Sequence, residues 1–157
     1  MTDLISIDFQ NNHSDMTNTS YVGQLGEDLA AQFLVRNGYR LVSANFKVPI
    51  GRNMRGVSVS GEIDLIALEG KTLCFVEVKT RSSDQFAAPI AAVDLRKQRQ
   101  ITRTARVYRK LFNIKTDFRY DVVTIVLNKS GKPKIELFQN FWTEAKFRKK
   151  LWNDEIW

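Results

Sequence analysis

Residues 61–81 read GEIDLIALEGKTLCFVEVKTR. Gly70-Lys71 is the Gly-X pair of a two-residue type II′ turn, and apolar residues dominate both flanks. The stretch is therefore a β-hairpin over residues 62–80. If Glu69 and Thr72 flank the turn, Asp64 faces Glu77 and Glu62 faces Lys79. Strand alternation then puts Glu62, Asp64, Ile66 and Leu68 on one face with Phe75, Glu77 and Lys79. Ile63, Leu65, Ala67, Cys74, Val76 and Val78 form a second, wholly apolar face. The charged members of the first face gather at the open end of the hairpin. Facing residues in a strand pair have Cβ atoms roughly 4.5–5.5 Å apart. Two carboxylates that close repel, and burial raises the pKa of at least one. A bound cation removes the conflict.

The rest of the chain surrounds this hairpin with helices and further strands. Val22, Leu25, Leu29 and Phe33 recur at helical spacing, Thr19 or Ser20 supplies a cap, and Gly38 is a C-terminal stop. YRLVSANF (39–46) reads as a strand. KVPIGRNMRGVSVS (47–60) reads as a flexible basic loop because of its proline, glycines and cations. After a connection over residues 82–89, Asp94 caps a second helix whose stripe is Ile101, Ala105, Tyr108 and Phe112. FRYDVVTIVL (118–127) and KIELFQ (134–139) are strands joined by the turn NKSGKP. Residues 1–18 are a loose polar arm, and 142–157 a basic aromatic tail read as an amphipathic helix. The body between them spans 19–141. Strands apolar on both faces need cover on both sides. The order α-β-β-β-α-β-β thus describes an α/β fold with a mixed sheet flanked by helices.

Composition narrows the chemistry. The chain has 157 residues, 24 Lys+Arg against 17 Asp+Glu and a formal net charge of +7. That excess points to a polyanionic partner. One cysteine and one histidine exclude an intramolecular disulfide and a Cys/His zinc set. No apolar run spans a bilayer and no signal peptide is visible, so the cytoplasm is the expected location. A homodimer is compatible with the chain. Carboxylate oxygens suit Mg²⁺ or Mn²⁺, which gives Asp64 and Glu77 as metal ligands. Lys79, two residues past Glu77 on the same face, is placed to help activate water or to neutralise phosphate charge. The second helix adds Arg96, Arg99, Arg103, Arg106 and Lys110 on one face, which fits a phosphate backbone. Lys97 shares the apolar stripe and should point inward or towards the site. Arg52, Arg55 and the KFRKK segment extend the basic footprint.

Asp64 followed by Glu77-Val78-Lys79 resembles the PD-(D/E)xK core of restriction endonucleases and archaeal Holliday-junction resolvases. GQLGEDLAAQFLVRNGY, GEIDLIA, FVEVKTR and RYDVVTI are together similar to the YraN-like family of bacterial proteins, uncharacterised but expected to be nucleases. The resemblance covers roughly residues 21–141. It implies a restriction-endonuclease-like fold, Asp64, Glu77 and the Val78 carbonyl as metal ligands, Lys79 as catalytic, and Glu27 as the acid on the first helix. The residues alone leave Glu27 at the border of its apolar stripe, able to reach the sheet edge or to stay solvated. The implied activity is metal-dependent hydrolysis of phosphodiester bonds in DNA, in branched or single-stranded forms. The rival readings are a nucleic-acid-binding module without catalysis and a protein-interaction module that uses the tail. The 47–60 segment is longer than the usual link before GEID.

Overall fold

The computed structural model describes residues 19–83 and 93–148. The arm over 1–18, most of the 82–89 connection and the tail beyond residue 148 lie outside them. The elements are α1 (Thr19–Arg36), β1 (Arg40–Arg52), β2 (Ser58–Glu69), β3 (Thr72–Ser82), α2 (Leu95–Leu111), β4 (Phe118–Leu127), β5 (Lys134–Trp142) and a short 3₁₀ helix (Glu144–Phe147). One five-stranded sheet runs β1-β2-β3-β4-β5. Its pairs are antiparallel except β3–β4, which are parallel and joined by α2. This mixed α/β arrangement, in the order the sequence implies, is consistent with a restriction-endonuclease-like core.

Local chemistry sets the element ends. Gly38 takes φ +86°, its N–H bonds the Val35 carbonyl, and the Tyr39 N–H bonds that of Leu34. That double closure is a Schellman stop, which a left-handed glycine permits. Asp94 caps α2 by accepting from the Lys97 N–H at 2.8 Å. Gly70 has φ +58° between paired Glu69 and Thr72, as the II′ turn requires.

The two faces of the sheet carry separate cores. Ala30 and Leu34 of α1 pack on Leu65, Ala67, Cys74, Val76, Val78, Val123 and Ile125. Ile101, Ala105 and Tyr108 of α2 pack on Ile66, Phe75, Tyr120 and Val122. Two glycines let the helices sit close. A Cβ on Gly26 of α1 would lie 1.7 Å from Thr80 Oγ1, and one on Gly61 of β2 would lie 1.9 Å from Thr104 Oγ1 of α2. Cys74 is fully buried and burial pushes its thiol up to about 12, so it behaves as a small core residue.

Four expectations need correction. The 47–60 segment is not a loop: β1 continues to Arg52 and β2 begins at Ser58. Pro49 is tolerated because β1 is an edge strand, and a register shift between Pro49 and Gly51 absorbs the irregularity. Ile63 joins the α2 core, not the face of Leu65, because strand alternation breaks at Asp64. Phe112 is 57 % exposed, since α2 ends at Leu111 and turns before the ring can enter the core. Phe141 and Trp142 end β5 instead of starting a helix, and Trp142 is buried against Tyr120, ring stacked at 4.8 Å.

Candidate active site at the end of the hairpin

The β2–β3 ladder runs from Glu69↔Thr72 to Leu65↔Val76, the register expected from the turn. The next step would pair Asp64 with Glu77. There the Asp64 carboxylate takes over from the ladder: Oδ2 accepts the Val78 N–H at 2.8 Å. The other neighbour of β2 is irregular at the same level. Ala44 pairs with Leu65 and Phe46 with Ile63, and Asn45 between them has φ +51°. Asn is among the few side chains that adopt this conformation readily. The Asn45 side chain hydrogen-bonds Glu27. So the sheet loosens on both sides of Asp64, and the acids collect there.

Glu77 is the most confined of them, at 2 % exposure. Its Oε1 lies 3.1 Å from the Lys79 ammonium and 3.6 Å from that of Lys97. Its Oε2 is buried and has no hydrogen-bond partner. Burial, followed by the charge of Asp64, pushes its pKa up to about 7 against the pull of Lys97 and Lys79. Glu27 rides on α1, which Gly26 brings onto β3. Its carboxyl is also raised, by partial burial first and the Asp64 charge second, with the Asn45 hydrogen bond opposing. Asp64 is thus within electrostatic reach of both Glu77 and Glu27, and Lys79 sits against Glu77; Glu27 itself is not brought to Glu77 or Lys79. Glu62 does not meet Lys79; its partner across β1 is Lys47, at 3.6 Å.

An unpaired, buried carboxylate oxygen beside a second carboxylate is a cradle for a hard cation. Asp64, Glu77 and the Val78 carbonyl are the groups that could hold Mg²⁺ or Mn²⁺, which take one or two carboxylates and complete their shell with water and phosphate oxygens. No set of three or more His, Cys, Asp or Glu side chains suited to a metal occurs among the described residues, so a dedicated all-protein cage is not what this site offers.

The basic face divides differently from its spacing. Arg96, Arg99, Arg103, Arg106 and Lys110 are all exposed on α2. Arg103 nevertheless donates to the Ile50 carbonyl, Arg106 and Arg109 share Glu144, and Arg99 lies over the Phe147 ring at 5.6 Å. Lys97, on the apolar stripe and off this face as its spacing implies, reaches Glu77. Arg52 and Arg55 stand at the tip of the β1–β2 hairpin.

Sequence reasoning missed Asn45 and Glu144. A turn-forming Asn in an otherwise strand-like run was the signal for the first. The second had none, because only the path of the chain after β5 carries Glu144 over α2.

Helices on both faces of a mixed sheet, with two acids and a lysine where the β2–β3 ladder ends, define an α/β protein with a candidate acid–lysine site inside its sheet. Residues 26–125 match the Uncharacterised protein family UPF0102, and the chain belongs to that family. A UPF0102 protein of Caldanaerobacter subterraneus is 43% identical over 112 residues, covering 71% of this chain and 84% of its own. One of Chlorobium chlorochromatii is 36% identical over 132 residues, covering 80% and 95%. Among solved structures, the crystal structure of SSO0001 overlaps 82% of this chain and 55% of its own at 15% identity, with a TM-score of 0.37. That likeness is too distant to carry a functional inference. No described helix is long and apolar enough to cross a membrane.

Proposed function

We propose that this protein is a metal-dependent nuclease that hydrolyses phosphodiester bonds in DNA, with branched or single-stranded forms as the first candidates. The observation that carries the reading is Glu77: a buried carboxylate with one oxygen unpaired, next to Asp64 and held by two lysines. A structural ion pair has no need to leave a buried oxygen without a partner. Asp64, Glu77 and the Val78 carbonyl would hold Mg²⁺ or Mn²⁺, which when bound polarises a phosphate and lowers the pKa of water. Lys79, partly exposed beside Glu77, faces the substrate side. Its ammonium would neutralise charge developing on the phosphate and donate a hydrogen bond that orients the attacking water. Lys97 holds the other flank of Oε1 and keeps Glu77 in place. Exposed Arg96, Arg99 and Lys110 supply backbone contacts.

The test is a cleavage screen over duplex, single-stranded, flap and four-way DNA with Mg²⁺, Mn²⁺ or chelator. Wild type should cut at least one form only with metal. Lys79→Ala should lower the rate about 10²–10⁴-fold while calorimetric metal binding persists. DNA binding without cleavage by wild type under every condition overturns the nuclease reading. It would favour a binding module, a reading that two acids without a third also fit.

A further inference from the structure

The β1–β2 pair does not stop where the sheet stops. β3 pairs with β2 only as far as Leu65, whereas β1 follows β2 to Arg52↔Ser58. Residues 46–63 therefore form a two-stranded ribbon that leaves the body of the sheet at Asp64. Ser58 lies six residue steps before Asp64, so the ribbon reaches about 20 Å past the site.

An isolated two-stranded ribbon is marginal in water, but this one is braced. Arg103 donates to the Ile50 carbonyl and Gln100 to that of Ser60, both from α2. The turn is closed by Asn53: its N–H bonds the Val57 carbonyl, its carbonyl accepts from the Gly56 N–H, and its side chain accepts from the Arg55 and Val57 N–H groups. Arg52 donates to the Gly56 carbonyl at 2.8 Å, which uses one of its five N–H donors. The tip presents Arg52 and Arg55 with Met54 between them. Met54 is 106 % exposed and Val57 58 %. No acid occurs from residue 48 to residue 61.

We propose that this ribbon is a duplex-reading arm: Arg52 and Arg55 sit on backbone phosphates, and the Met54 side chain wedges into a base step about six nucleotides from the bond to be cut. The proposal rests on the nuclease reading for its reference point, the scissile phosphate. Cations flanking an apolar tip match a duplex, whose phosphates bracket a stack that apolar wedges can open. An anionic membrane also attracts cations beside apolar residues. Two side chains on a braced ribbon bury little area, however, and the ribbon's base is the candidate site itself.

The experiment uses full-length protein in chelator, so that nothing is cut, and a duplex carrying one 2-aminopurine moved stepwise along it. Wild type should raise the fluorescence at one localised step. Met54→Ala should abolish that rise while lowering affinity only several-fold. The double variant Arg52→Ala/Arg55→Ala should reduce the slope of log affinity against log salt by about two. Vesicles of phosphatidylserine and phosphatidylcholine form the control. Unchanged fluorescence and salt slope in the variants, absence of duplex binding, or Met54-dependent binding to vesicles alone overturns the arm. A protein that unstacks DNA but never cuts sinks the nuclease reading alone, and one that cuts while both variants behave as wild type sinks only the arm.

Discussion

Glu77 and Asp121 are buried carboxylates on neighbouring strands, one register step apart, on opposite faces of the sheet. Burial raises the pKa of both. The fold treats them differently. Asp121 accepts the Asn140 N–H at 2.9 Å and two contacts from Arg119 Nε at 3.0 Å. Arg119 is itself fastened to Glu69 and the Tyr39 hydroxyl. Asn140 adopts φ +52° at a β4–β5 register shift, which turns its N–H towards the acid. Glu77 has two ammonium groups on one oxygen and nothing on the other. A sheet able to satisfy one buried acid so fully has left its neighbour incomplete. That incompleteness supports the reading of Glu77 as part of a site, against the satisfied network around Asp121.

The largest expected effect would break the comparison if it failed. Asp121→Ala should destabilise the protein by about 3–5 kcal/mol, because it leaves the Arg119 charge without its buried partner, and added metal should not rescue it. Urea denaturation with and without Mg²⁺ measures this. Glu77→Gln should instead leave the metal-free protein as stable as wild type or more so. It should also remove the stabilisation that metal confers, about 2.7 kcal/mol at a hundredfold excess over the dissociation constant. An undiminished metal shift in Glu77→Gln would make the two acids equivalent.

Next comes pH. Burial and then the charge of Asp64 push Glu77 up to about 7 in the folded protein, against an ordinary glutamate value of about 4.3 in the unfolded chain. Between these values the folded state holds a proton that the unfolded state has released, so stability falls as pH rises through the window and levels off above it. Melting of metal-free wild type relative to Glu77→Gln should show that decline, and a flat difference would place no perturbed proton on Glu77. A smaller effect concerns the seat of Glu27. Gly26→Ala forces a Cβ onto Thr80 and should cost about 1–3 kcal/mol. Gly23→Ala, three residues earlier in α1 with open space around it, should gain up to about 1 kcal/mol. Equal melting of the two variants would mean that α1 does not rest on β3 through Gly26.

Much of the site was legible because it is local. The II′ turn at Gly70-Lys71 determines which residues of β2 and β3 meet, and an acid-x-Lys triplet shares a face in any strand. The Schellman stop at Gly38 and the Asp94 cap depend on a few adjacent residues. The extended β1–β2 ribbon was hidden because glycine, proline and arginine look like loop until a partner strand supplies the hydrogen bonds. The cationic face of α2 was legible as spacing, but its partners Ile50, Glu144 and Phe147 come from distant segments.

The sequence by itself determined the order of elements, the core stripe of α2 from Ile101 to Tyr108, the hairpin register down to Leu65 and Val76, and the place of Asp64 and Glu77 just beyond those last paired residues. Periodicity and turn chemistry act over a few residues, and they do not depend on what packs above them. Tertiary structure alone decided that the ladder yields at Asp64, that Asn45 turns left-handed opposite it, and that Gly26 and Gly61 lower two helices onto the strand ends. It also decided that Lys97 reaches Glu77 and that one oxygen of Glu77 is left unmatched. Desolvation and hydrogen-bond satisfaction depend on every neighbour in space, and those neighbours come from segments far apart in the chain.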